Sequence, residues 1–199
     1  MYPTRLEAEN ALKAAHAANP GPWAEHSRNV ARACRNIARL VPRMDPERAY
    51  ILGLLHDIGR HAGVTSERHL LDGYRYCMAR GWEKAAQICI SHAFMIPDIA
   101  TSIGVFDMLP EDKLFMAEFV KRAVYDDYDR LVQLCDALAL PTGFCLLEKR
   151  FVDVALRYGA HPATVARWKA TLEIRDYFQA LMGCSVYDVL PGAVENSLR

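Results

Sequence analysis

AYILGLLHDIGR, residues 49–60, is apolar on every side through Leu55 and then sets a histidine beside an aspartate. A helix with no polar stripe belongs in the middle of a bundle, so this segment is expected to be the central, buried helix. Asp45-Pro46-Glu47 ahead of it reads as a start signal: Asp as N-cap, Pro at the first helical position, an acid against the dipole. Gly59 is expected to end the helix. His56 and Asp57 are the difficulty. An unpaired carboxylate taken out of water is expensive, so such a group has a cation or strong donors beside it. A divalent metal is one solution, because it accepts imidazole nitrogen and carboxylate oxygen together.

Outward from this segment nearly every stretch reads at helical period. Thr4 and Glu7 have the spacing of a capping box, and the helix they open should stop at Asn19-Pro20-Gly21-Pro22. From Trp23 a second helix carries Val30, Ala33, Cys34, Ile37, Ala38 and Val41 on one stripe, with Pro42 closing it. Further helices are expected at about 66–80, 82–93 and 113–140, the last broken near 125–129, then at 144–158 and from His161-Pro162 to about 182. No segment alternates at period two long enough for a sheet. The chain therefore reads as one all-α domain: a helix and turn over 1–22, a core over 23–140, and a helical extension over 141–199 packed on that core.

Composition narrows the function classes. Lys+Arg and Asp+Glu are 24 each, so the net charge is zero and no basic stripe is visible. A nucleic-acid partner is not expected, and a small substrate is the better default. The six cysteines form no C-x-x-C pair and sit in apolar helical patterns, as small buried thiols do. The N-terminal residues lack an apolar secretory core, and the longest clean apolar run, Ala49 to Leu55, is far too short to span a membrane. A cytoplasmic protein with no membrane partner is the expectation. The amphipathic C-terminal segment can pack on the core or make a homodimer contact.

His26, His92 and Asp136 stand in apolar helical surroundings like those of the HD pair, and each has the same burial problem if it faces the core alone. Convergence on one cation would solve all of them at once, as in helical-bundle metal sites. His26, His56-Asp57 and Asp136, in that order, resemble the H…HD…D pattern of the HD-domain metal-dependent phosphohydrolases. The NPGPW lead-in and the Gly-Arg of HDIGR add to the likeness, which covers roughly Trp23 to Leu140.

The resemblance implies an HD-domain helical bundle in which His26, His56, Asp57 and Asp136 ligate a divalent cation. A subset of the family, the bacterial symmetrical diadenosine tetraphosphate hydrolases among them, has two further histidines between the HD pair and the last aspartate. His69 and His92 stand in that interval, which implies a second cation bridged by Asp57. Iron, manganese, cobalt, nickel, zinc and magnesium all suit such donors. The implied reaction is hydrolysis of a phosphate ester or anhydride in a small phosphorylated substrate, a nucleotide or dinucleotide, by metal-activated water. Asp57 would orient the water, and Arg60 would offer a planar donor fork to phosphate or act as a solvated cation at the helix end. The 44 positions between His92 and Asp136 depart from the pattern and include an apparent insertion, IPDIATSIGVFDMLPEDK, that could form a lid.

Two other functions stay open: a di-iron oxygenase, and a non-catalytic regulatory module that keeps the metal for stability. His61 is read as a surface residue, with substitute ligation as its alternative, His16 and His161 as ordinary structural polar residues outside the resemblance, Trp23, Trp82 and Trp168 as packing, and Asp126, Asp127 and Asp129 as caps for the last core helix.

Overall fold

The first helix in the computed structural model, which describes residues 2–198, is α1 (Arg5–Ala18). It opens on the expected capping box: the Glu7 amide donates to Thr4 Oγ1 (3.3 Å), and the Glu7 carboxylate accepts from the Thr4 amide (2.7 Å). α1 stops at Asn19, ahead of Pro20, and α2 (Trp23–Ala38) follows with Val30, Ala33, Cys34 and Ile37 fully buried. α2 ends four residues before Pro42, its chain leaving through turn bonds from Leu40 to Ile37 and from Val41 to Ala38. α3 (Pro46–Leu55) begins at Asp45, whose Oδ1 accepts the amides of Glu47 (2.8 Å) and Arg48 (3.3 Å). It is the central helix, packed against α1, α2 and, further along the chain, α5 (Glu83–Ser91) and α7 (Asp127–Ala137).

α3 does not run to Gly59. It stops at Leu55, and a 3-10 turn occupies Ile58–Ala62. The reason is local: the last carbonyls of a helix lack intrahelical donors, and the His56 ring takes one of them, Nδ1 donating to the Gly53 carbonyl (2.8 Å). Ile58 resumes the apolar pattern after His56-Asp57, so periodicity alone cannot see this end. The 3-10 turn then rests on α4 (Arg68–Met78), which pairs with α5. Their contact needs glycine on both sides, because a Cβ on Gly59 would overlap the His69 carbonyl and the Gly73 backbone.

The long helix expected over 113–140 is two helices, α6 (Pro110–Arg122) and α7, separated near the expected break. Asp126 caps α7 and Asp129 completes a capping box, but Asp129 does more than cap. Fully buried, it accepts from Ser91 Oγ (2.6 Å), Gln87 Nε2 (3.0 Å) and Lys84 Nζ (2.5 Å), tying α7 to α5 just behind His92. A two-residue antiparallel pair follows, β1 (Ala139–Leu140) with β2 (Gly143–Phe144), Ala139 facing Phe144 and Leu140 facing Gly143. It is too short to alter the all-α class. α8 (Leu147–Tyr158) ends at Gly159 in the left-handed region (φ 79°), α9 (Thr164–Met182) packs on α7, and α10 (Ala193–Ser197) returns to β2.

Most buried side chains form one cluster around Leu52, Leu54, Leu55 and Ile58. A second, smaller one joins Leu70, Ile90, Phe94, Met116 and Val120, and is covered by Ile99, Phe106 and Met108 of the insertion. That segment is anchored by its own apolar residues. Among the described residues no helix is long and apolar enough to cross a membrane.

Gly59→Ala is expected to cost about 1–3 kcal/mol through overpacking against backbone that cannot shift without moving α4. For a chain of this size that lowers the thermal midpoint by roughly 2–4 °C per kcal/mol, read by circular dichroism. An unchanged midpoint would mean that the turn and α4 are not in register as described.

Candidate metal centre

Five elements deliver the polar side chains. α2 brings His26 from its first turn, the end of α3 brings His56 and Asp57, α4 and α5 bring His69 and His92, and α7 brings Asp136. His26, His56, Asp57, His69 and His92 are all buried. The imidazoles crowd together, with ring centroids 5.3 Å apart for His26 and His56, 4.8 Å for His56 and His92, and 6.1 Å for His69 and His92. Two triads result: His26, His56 and Asp57 in one, Asp57, His69 and His92 in the other, each with its ligand atoms within 4.8 Å of one another. Asp57 is common to both. Asp136 adjoins the first triad, its Oδ1 2.8 Å from His26 Nε2 and 3.9 Å from His56 Nε2.

Backbone carbonyls settle where the protons are. A carbonyl only accepts, so the ring nitrogen facing it carries the hydrogen. His56 Nδ1 donates to Gly53, His92 Nδ1 to Ile88 (3.0 Å), and His69 Nδ1 to Ser66. In the neutral ring Nε2 is then a bare lone pair, and it faces a carboxylate: His69 Nε2 is 3.1 Å and His92 Nε2 3.8 Å from Asp57 Oδ1, and His56 Nε2 is 3.8 Å from Asp57 Oδ2. Acceptor against acceptor is repulsive. Accordingly, His56 Nε2 and Asp57 Oδ1 are buried with no hydrogen-bond partner among the described residues. Orphaned nitrogen and oxygen lone pairs aimed at a common space fit a divalent cation, and second-shell carbonyls that fix each tautomer are what such ligands require.

Electrostatics agree. Burial pushes the His56 imidazole down to about 3 and lowers His92 as well, so both rings are neutral and available as ligands at ordinary pH. Burial alone would raise the Asp57 carboxyl, but Arg60 beside it overrides that and holds it well below the usual carboxylate range. Asp136 is likewise depressed against the effect of burial, chiefly by its hydrogen bond from His26.

Arg60 reaches inward: Nε donates to Asp57 Oδ2 (2.6 Å), Nη2 lies 3.3 Å from His69 Nε2, and its carbonyl accepts from Asn19 Nδ2 (2.6 Å). It also lines a cleft of about 280 Å³ whose wall includes His69, His92 and Asp136. Arg150 and Arg157 of α8 and Arg167 of α9 line it too, giving, among the described residues, four lining arginines with Arg60 against two carboxylates, Glu67 and Asp136. Arg150 Nη2 stands 3.9 Å from Asp136 Oδ1. Arg167 is a brace, donating to the carbonyls of Ala93 (3.2 Å) and Thr101 (3.0 Å).

None of these three arginines, nor Phe151 beside them, was among the residues singled out in the sequence. The available signal was the i, i+4, i+7 spacing of Arg150, Val154 and Arg157 on one face of α8. Trp168, expected as packing, stands on the cleft wall. His61 lies against Tyr76 with ring centroids 5.0 Å apart, His16 lies against Trp23, and His161 Nδ1 accepts the Ala163 amide (3.1 Å), so all three are away from the centre. Cys89 belongs to the core, its thiol donating to the Leu55 carbonyl (3.4 Å).

The insertion fixes His69. Asp107 accepts the amides of Ser66 and Arg68 (both 2.8 Å), and Val105 exchanges bonds with Glu67 and Ser66, so the Ser66 carbonyl that orients the His69 ring is held from both sides.

An all-α bundle with histidines and aspartates from separate helices gathered around a cation-sized space defines a class, the helical metal-site proteins. Within it the assignment is specific: the family model of the HD domain matches residues 23–140, more than half of the chain, and the protein belongs to the HD-domain family, a superfamily of metal-dependent phosphohydrolases. No curated protein and no solved structure matches the chain.

Asp107→Ala is expected to weaken cation binding at the His69 triad by roughly 10–100-fold, as loss of outer-shell support does. Elemental analysis after dialysis would show fewer cations per chain with helicity unchanged, whereas parental content would mean that Ser66 holds His69 unaided. For the metal-free protein the pH dependence has a definite sign. His56 and His92 bind protons less readily folded than unfolded, so stability rises with pH and is lost as pH falls below about 6.5, the unfolded imidazole value. The depressed Asp57 and Asp136 carboxyls add further loss below about 4. Urea midpoints from pH 7 to 4 should fall steadily, and His56→Leu should flatten the upper part of that slope.

Proposed function

We propose that the protein hydrolyses a phosphate ester or anhydride of a small molecule, with a nucleotide or dinucleotide as the substrate class the cleft fits. The supporting observation is Asp57, a buried carboxylate shared by two ligand triads at the end of an arginine-lined cleft. His26, His56, Asp57 and Asp136 would hold one divalent cation, and Asp57, His69 and His92 a second. When bound, such cations lower the pKa of a coordinated water to roughly 7 and offset charge on phosphoryl oxygens.

The chain's own groups do the rest. Asp57 Oδ1, which no donor among the described residues satisfies, is placed to accept a hydrogen bond from the attacking water and orient it. Arg60 and Arg150, both lining the cleft, present planar forks suited to phosphoryl oxygens. Burial of the four histidines keeps bulk water from competing for the same donors. The same donor set would also serve two irons in an oxygenase. The excess of arginine around the cleft favours an anionic substrate and a phosphoryl reaction instead. A purely regulatory module would have no need of so complete and so well oriented a donor set.

Metal-loaded protein tested against nucleotides, dinucleotides and simple phosphodiesters should release phosphate or a nucleotide product. His56→Ala and Asp57→Ala should each lower the rate by more than the roughly 10–100-fold that outer-shell changes cost. Bound metal with no hydrolysis of any substrate, or full activity in both variants, would overturn the proposal. Substrate-dependent oxygen uptake would point to the oxygenase.

A further inference from the structure

We propose that the α8–α9 hairpin, which lies beyond the span matched by the HD family, is a nucleotide-recognition platform. The nucleobase stacks on the Phe151–Trp168 pair, and Arg150 and Arg157 hold a chain of two or more phosphates. The inference rests on the phosphohydrolase reading for its purpose and shares Arg150 with it, but it adds Phe151, Arg157 and Trp168 and is tested by binding.

Phe151 and Trp168 come from different helices and lie nearly parallel, with ring centroids 5.2 Å apart and planes 11° from each other. Both line the cleft. Phe151 packs against the main core, whereas Trp168 is not among the side chains packed on either buried cluster. An indole outside both buried clusters, backed by a ring that the core holds, is a rigid aromatic surface on the wall of a phosphate-suited cleft. Aromatic stacking of this kind tolerates any base, since each presents a π-face.

The arginines set the length of the anion. Arg150 reaches toward the metal centre, and its 3.9 Å approach to Asp136 is its only ion pair among the described residues. Arg157 forms no ion pair among the described residues, its Nε donating to the Asp153 carbonyl (3.3 Å). Seven residues apart on one helix face, the two Cα atoms are separated by about 10.5 Å along the axis. Side chains rooted that far apart suit two anionic groups better than one. An isolated monophosphate could engage Arg150, but a diphosphate or longer chain engages both.

The test uses holoprotein and two non-hydrolysable probes, α,β-methylene-ADP and the base-free methylenediphosphonate, with affinities from calorimetry. The nucleotide is expected to bind roughly 5- to 100-fold more tightly, the range that stacking of one base supplies. Trp168→Ala should remove that advantage, and Trp168→Phe, which keeps a ring, should retain most of it. Arg150→Gln and Arg157→Gln should weaken both probes. Equal affinity for the two probes, or a nucleotide advantage that survives Trp168→Ala, overturns the platform, as does parental binding of both probes by Arg157→Gln. If nucleotide binds as expected while no substrate is ever hydrolysed, the platform stands and the phosphohydrolase proposal falls. If base-free polyphosphates are cleaved as well as nucleotides, the reverse holds.

Discussion

One buried carboxylate organises this protein. Asp57 lies at the end of the most apolar helix in the chain, facing imidazole nitrogens whose protons are committed elsewhere. The commitment is made by three backbone carbonyls, of Gly53, Ser66 and Ile88, each three or four residues before the histidine it holds. Each ring is thus locked by its own helix end, and the lone pairs that remain converge. With Arg60 as its only fixed positive neighbour among the described residues, Asp57 keeps its charge, and the surrounding acceptors are left in want of a cation.

That constraint explains structure well away from the site. α3 stops early because His56 takes a carbonyl of the last turn. Gly59 and Gly73 let the following 3-10 turn touch α4, bringing His69 within reach of Asp57. Asp129 ties α5 to α7 beside His92, so the helices that deliver two of the site's residues are joined by a buried ion pair and two neutral donors. The insertion serves the same end. Its apolar residues roof a second small core while Asp107 grips the start of α4.

The centre and the cleft have different origins in the chain. The ligand triads come from the span that matches the HD family, while three of the four cleft arginines and the aromatic pair come from α8 and α9 beyond it. A metal centre common to the family and a recognition surface peculiar to the C-terminal helices would divide the chemistry from the choice of substrate. The local excess of arginine also arises in a chain with no net charge, because folding gathers cations from separate helices and leaves most carboxylates on other surfaces.

Local signals in the sequence determined the class of fold and the convergence of its polar residues. Thr4 and Glu7, Asp45-Pro46 and Gly159 each act within a few residues of themselves, so helix limits there were legible, and His26, His56, Asp57, His92 and Asp136 stood out against apolar surroundings, while His69 was implied by the family resemblance. The end of α3 at Leu55 was not legible, since Ile58 resumes the apolar pattern after His56-Asp57 and only a ring-to-carbonyl bond marks the stop. Nor could sequence show that Asp129 is buried, that Arg60 turns inward onto Asp57, or that Arg150, Arg157 and Trp168 face the same cleft as His69. Those are relations between elements far apart in the chain. Hydrophobic period fixes which face of a helix is buried, but only the packing of one helix against another decides which charges and rings then meet.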